Sequence, residues 1–189
     1  MTTQHITLNQ TLTPHFTLAE FVRSGVAIRH NIANTPTPNA INNLRLLCEN
    51  VLEPLRRRFG VIRITSGYRC EELNNMVGGK PNSQHLLGQA ADIHLSNKEV
   101  AMKMFNFVAE RLDYDQLLFE HRKSDGANWL HVSYNAAGNR KIKSELDVLA
   151  LTTPKTQPQT RRAGWERANA CPARPRYFPF KPSLYKHYT

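Results

Sequence analysis

The chain has few cysteines and no long apolar run, and both absences exclude classes of protein. Cys48, Cys70 and Cys171 are widely spaced and form no CxxC pair, so neither a disulfide framework nor a thiolate zinc site is predicted. No run of about 18 apolar residues is present, so no membrane span is predicted. Residues 1–8 also lack the form of a secretory signal. We therefore expect synthesis in a reducing cytoplasm and, for any work outside the cell, another exit route.

Acidic residues are scarce beside basic ones, at 15 against 25, and the formal net charge is +10. Such a charge is typical of proteins that bind nucleic acid or another polyanion. The excess is uneven, because residues 1–149 hold 17 basic and 14 acidic side chains, whereas residues 150–189 hold eight and one. Six of the eleven prolines also lie after residue 150. We predict one domain over 1–149 and a flexible, Pro-rich basic tail over 150–189, which is either a solvated extension or an arm for an anionic polymer or a partner.

Three segments have the capping and periodicity of helices. The clearest begins after Thr37, which is followed by Pro38, carries apolar residues at helical spacing and ends at Gly60. A shorter helix is predicted to begin at the capping box of residues 17–20 and to stop near residue 24. The third helix is predicted over residues 97–112.

Strand patterns fill much of the remainder. Runs rich in β-branched and aromatic residues predict strands over 61–65, 90–95, 115–120 and 129–134, with the last two forming a hairpin. Residues 70–88, which are rich in Asn, Gly and Pro, are predicted to form a long functional loop. The expected fold is therefore α+β, with a small mixed or antiparallel sheet packed against helices.

The most informative motif is a histidine and a carboxylate seven positions apart, His85 and Asp92, followed by His131 on a later strand. Alternation puts Asp92 on one face of its strand, and His131 shares a face with Trp129. Two imidazoles and one carboxylate are the ligand set of a catalytic zinc that keeps one position open. Such a Zn²⁺ favours hydrolysis of an amide or ester.

Three strings in this order resemble a known family: SGYR at residues 66–69, SxHxxGxAxD at 83–92 and WxHxS at 129–133. They are similar to the zinc D-alanyl-D-alanine carboxypeptidase family, which includes vancomycin-resistance D,D-carboxypeptidases and phage L-alanyl-D-glutamate endolysins. The resemblance covers about residues 14–135.

The resemblance implies a role for each matching residue. His85, Asp92 and His131 would be the zinc ligands. Arg69 would bind the scissile carbonyl or a substrate carboxylate and stabilise the oxyanion. Three further residues would contact the substrate or support the ligands, namely Ser83, Gln84 and Trp129.

The resemblance does not determine which residue is the general base. Many relatives carry Asp or Glu three residues before the last ligand, but this chain has Asn128 there, and an amide cannot accept the proton of water. Glu120, across the predicted hairpin, is the favoured substitute. The alternatives are Asp125 and a catalytically impaired site.

The expected function is therefore hydrolysis of an amide bond in peptidoglycan stem peptides, by a monomer that acts on the cell wall after release or as part of a phage. Two alternatives stay open at this point. The domain can be a non-catalytic zinc and wall-binding module or phage structural domain, or the basic charge can mark a polyanion-binding protein.

Overall fold

The structure is a computed structural model that describes residues 7–122 and 126–144. In this part of the chain, the helices are α1 Leu18–Val22, α2 Gly25–Arg29, α3 Pro38–Leu47, α4 Glu53–Phe59, α5 Glu71–Met76 and α6 Lys98–Arg111. The strands are β1 Thr11–Thr13, β2 Phe16–Thr17, β3 Ile64–Ser66, β4 Ala90–His94, β5 Gln116–His121, β6 Asn128–Ser133 and β7 Ile142–Ser144. The predicted α+β class is confirmed.

The long predicted helix forms with one irregularity. It begins at Thr37, whose hydroxyl accepts a hydrogen bond from the Ala40 amide at 3.2 Å, and Pro38 occupies its first turn. A π-helical turn, Cys48–Leu52, separates α3 from α4, and the helix ends at Gly60. Its core face is fully buried and consists of Leu44, Leu47, Cys48, Val51, Leu52 and Leu55.

Strands β3 to β7 form one mixed sheet in the order β3-β4-β6-β5-β7. The first three pairings are antiparallel, including the predicted β5–β6 hairpin, and β7 pairs with β5 in parallel. One face of the sheet packs in the hydrophobic core and is almost completely buried: Ala91, Ile93, Leu117, Phe119, Leu130 and Val132. The opposite face, called the ligand face below, carries Asp92, His94, Leu118, Glu120, Trp129 and His131.

Several local predictions need correction. The predicted loop over 70–88 contains α5 and a 3₁₀ turn, Gln84–Leu87. Two further elements were not predicted from the sequence: α2, which follows residue 24, and β7, at the edge of the sheet. Within residues 7–122 and 126–144, no helix is long and apolar enough to cross a membrane. The tail predicted over 150–189 lies outside the described residues.

Candidate metal centre

The three predicted ligands come together from three different elements. His85 lies in the 3₁₀ turn Gln84–Leu87, Asp92 lies in β4, and His131 lies in β6 directly opposite Asp92. One ligand atom from each residue falls within 4.8 Å of the other two, and all three side chains are buried. The sheet register therefore fixes two ligands, and the turn supplies the third.

Hydrogen bonds orient the two imidazoles. His85 Nδ1 lies 2.6 Å from the carbonyl oxygen of Gly67. Because that oxygen only accepts, Nδ1 is the donor to Gly67, and Nε2 is the ring nitrogen that faces Asp92 Oδ1, at 3.4 Å. His131 turns Nδ1 toward the same oxygen at 2.8 Å. A carbonyl that holds the outer nitrogen of a ligating histidine is the usual support of a metal ligand.

The carboxylate of Asp92 is held ionised. Its burial opposes the charged form, but hydrogen bonds and charge interactions with His131 and His85 outweigh burial and keep the pKa of Asp92 far below its ordinary value. Arg69 Nη2 binds the second oxygen at 3.0 Å. An ionised carboxylate is the form that coordinates a metal.

The residues present fit a divalent metal ion. Two imidazole nitrogens and one carboxylate oxygen match a three-ligand catalytic zinc site, which leaves a fourth position for water or substrate. In a tetrahedral site with bonds of about 2.0–2.1 Å the ligand atoms lie about 3.3 Å apart. The distances from Asp92 Oδ1, 3.4 Å to His85 and 2.8 Å to His131, bracket that value.

Arg69 connects the ligands to a cleft. Its Nε donates to Ser66 Oγ at 2.9 Å while Nη2 binds Asp92. Arg69 also lines a cleft of about 440 Å³, whose other lining residues are Tyr68, Glu71, Asn74, Asn75, Pro81 and Leu86. The hydrogen bond between Arg69 and Asp92, a predicted ligand, is a contact that the sequence did not indicate.

Ser83 and Gln84 support the turn that carries His85. The Ser83 hydroxyl accepts from the His85 amide at 3.4 Å. Gln84 Nε2 donates to Asp115 Oδ2 at 2.9 Å. Each of the two side chains thus has a hydrogen-bond partner within the protein.

Asp115 is a buried residue that the sequence reasoning missed. Arg140 binds its carboxylate with Nε, Nη2 and the backbone amide. These bonds, led by the side-chain bond from Arg140, hold the pKa of Asp115 below its ordinary value against the effect of burial. Asp115 thereby ties the segment before β7 to Gln84. An aspartate just before a strand gives no local signal of such a role.

Glu120 and Asn128 lie on opposite faces of the sheet. Glu120 is directly opposite Trp129, which shares the ligand face with His131. Asn128 is opposite His121 and bonds to its ring nitrogen at 3.0 Å. A side chain at position 128 therefore points away from the metal centre in this chain. Asp125, the other carboxylate considered, lies outside the described residues.

The 3₁₀ turn with His85 depends on a glycine at its end. Gly88 adopts φ +70°, and a β-carbon there would collide with the backbone of Ala40 in α3. We expect Gly88→Ala to lower the free energy of unfolding by about 2–4 kcal/mol. Alanine is disfavoured in the left-handed backbone conformation, and its β-carbon would also clash with a packed neighbour. Denaturant unfolding followed by circular dichroism measures this loss.

Gly78 provides the matched control. It has a similar φ of +74°, but a β-carbon there would have no atom within 4 Å. Gly78→Ala should therefore cost only the conformational term of about 1–2 kcal/mol. Equal losses for the two variants would show that the close approach of Gly88 to α3 is unimportant.

Taken together, a buried His-Asp-His cluster that could hold a metal ion lies at one face of a small mixed sheet in an α+β domain. A family model described as peptidase M15 matches residues 14–133. The chain therefore belongs to the M15 family of zinc D-alanyl-D-alanine carboxypeptidases, as the motifs predicted. A search of curated proteins found no match.

Proposed function

We propose that this protein is a zinc peptidase that hydrolyses an amide bond of peptidoglycan stem peptides, as a D,D-carboxypeptidase or as an L,D- or D,D-endopeptidase. The observation that carries the proposal is the convergence of His85, Asp92 and His131 in a family of metal-dependent peptidases. Stem peptides are reached in the cell wall, either after release of the protein or from a phage particle.

The proposed reaction divides between the metal and the side chains. Zinc, when bound, would supply a Lewis acid that activates water and polarises the scissile carbonyl. Glu120 would take the proton from the attacking water and deliver it to the leaving amide nitrogen. This role is supported by the position of Glu120 on the ligand face, directly opposite Trp129, which lies two residues before His131 in β6.

Arg69 would stabilise the negative charge that develops on the carbonyl oxygen. Its guanidinium is already fixed by Ser66 and Asp92, so little reorganisation accompanies the reaction. Because Arg69 also lines the 440 Å³ cleft, we assign that cleft to the peptide segment beside the scissile bond.

The non-catalytic alternative depended on Asn128. Since the Asn128 side chain bonds to His121 on the opposite face, the lack of a carboxylate there is no sign of an impaired site. Turnover is therefore the favoured function over zinc-dependent wall binding alone.

Digestion of purified muropeptides, analysed by mass spectrometry, tests this function and identifies the bond. We expect loss of a terminal D-alanine or scission within the stem peptide, and no product after treatment with a chelator. Glu110→Gln, which changes an exposed glutamate on α6, serves as the control and should cut normally. Unaltered muropeptides in the presence of zinc-loaded protein would contradict the proposal.

A further inference from the structure

The indole of Trp129 forms a hydrogen bond with Glu120, the proposed base. Its Nε1 donates to Glu120 Oε2 at 2.6 Å, and the two residues lie directly opposite each other in the β5–β6 hairpin. Hydrogen bonds to an ionised acceptor are shorter and stronger than neutral ones. An indole has one donor and no acceptor, so its whole hydrogen-bonding capacity is directed to this carboxylate.

The strand alone does not determine where the Glu120 carboxylate lies. Glu120 is two residues from Leu118, which is opposite His131, and two residues of strand span about 6.7 Å. The carboxylate must therefore extend along the sheet to reach the metal centre. A half-buried glutamate has several rotamers available. The bond from Trp129 selects those with Oε2 at the indole.

The indole of Trp129 has one ring contact besides its hydrogen bond to Glu120. The guanidinium of Arg122 lies 5.9 Å from the ring centroid, within the range of a cation–π contact. On the other side, β4 places His94 directly opposite Trp129. The ring that carries the donor therefore has a contact, with Arg122, that is independent of Glu120.

We propose that Trp129 is a positioning residue, whose indole N–H holds the Glu120 carboxylate in the orientation for proton transfer. This inference depends on the proposed function, because it takes Glu120 as the base. It differs from the role implied by the family resemblance, in which Trp129 contacts the substrate. The two roles predict changes in different kinetic constants.

Trp129→Phe separates them, because phenylalanine keeps an aromatic ring and removes the donor. We expect the full-length zinc-loaded variant to lose about tenfold or more in kcat, with KM within about twofold of the original and with unchanged zinc content. A raised KM with unchanged kcat would instead identify Trp129 as a substrate contact and would overturn the proposal.

A double-mutant cycle with Glu120→Gln tests whether the effect passes through the base. In the Glu120→Gln background, Trp129→Phe should cause no further loss of kcat. Equal losses in both backgrounds would overturn the inference and leave Glu120 as the base. If Glu120→Gln itself retains the full rate, the proposed function of Glu120 fails, which is a separate result.

The indole N–H resonance of Trp129 provides a readout that does not depend on activity. The chain has two tryptophans, so Trp165→Phe assigns the remaining indole signal to Trp129. We expect Glu120→Gln to move that signal upfield, because the acceptor loses its charge, while Glu110→Gln leaves it in place. An unmoved signal would overturn the proposed contact. This measurement keeps Trp129, so it stands even if Trp129→Phe does not fold.

Discussion

Glu120→Gln is expected to lower kcat by about 10²–10⁴-fold, the usual contribution of a general acid or base. The amide has the size of the carboxylate but cannot accept the proton of water. The three ligands are unchanged, so zinc content should stay at that of the original protein. Steady-state hydrolysis of the muropeptide identified by mass spectrometry, with metal analysis on the same sample, measures both quantities.

Position 128 provides the control for this result. Relatives that carry a carboxylate three residues before the last ligand suggest that Asn128→Asp would restore a base. In this chain the Asn128 side chain lies on the other face and bonds to His121. We therefore expect the double variant Glu120→Gln with Asn128→Asp to remain as slow as Glu120→Gln alone. Recovery of the rate would show that a carboxylate at position 128 does reach the metal centre, which would contradict the placement of that side chain on the other face.

His131→Ala is expected to have the larger effect, because it removes one of the three ligands. Zinc should be lost on dialysis. The rate of hydrolysis should fall by more than about 10⁴-fold from that of the original protein, which is a larger loss than for Glu120→Gln. The variant also leaves Asp92 buried without one of its hydrogen-bond partners. Circular dichroism therefore has to accompany the assay, so that unfolding is separated from loss of metal.

His121→Ala is the matched control for that variant. It removes an exposed histidine of the adjacent strand β5, outside the ligand cluster. Both zinc content and hydrolysis should be close to those of the original protein. If His131→Ala retains zinc and turnover as His121→Ala does, His131 is not a metal ligand.

The residues of the candidate metal cluster could be selected from the sequence because part of their signal is local. Alternation of side chains along β4 and β6 predicts which residues share a face with Asp92 and with His131. The antiparallel register of the two strands then places Asp92 directly opposite His131. The long helix was predictable for a similar reason, since its cap, first-turn proline and terminal glycine all lie in the sequence near its ends. The faces of the strands and the ends of the helix follow from local sequence, whereas the pairing of Asp92 with His131, 39 residues apart, also requires the contact between β4 and β6.

Features that depend on distant contacts were missed. The turn before α5 is held by Asn34, whose side chain accepts from the Cys70 amide and donates to the Tyr68 carbonyl. Strand β7 is placed by the contact between Arg140 and Asp115, 25 residues apart. Because both contacts join segments that are far apart in sequence, no periodicity or capping rule indicates them.

The most direct test of the account is titration of zinc into metal-free, full-length protein while muropeptide hydrolysis is followed. With ligands from His85, Asp92 and His131, the rate should rise with added zinc and reach its maximum at one ion per chain, and His131→Ala should show no such rise. Full hydrolysis by the metal-free protein, or a rate that ignores added zinc, would contradict the account.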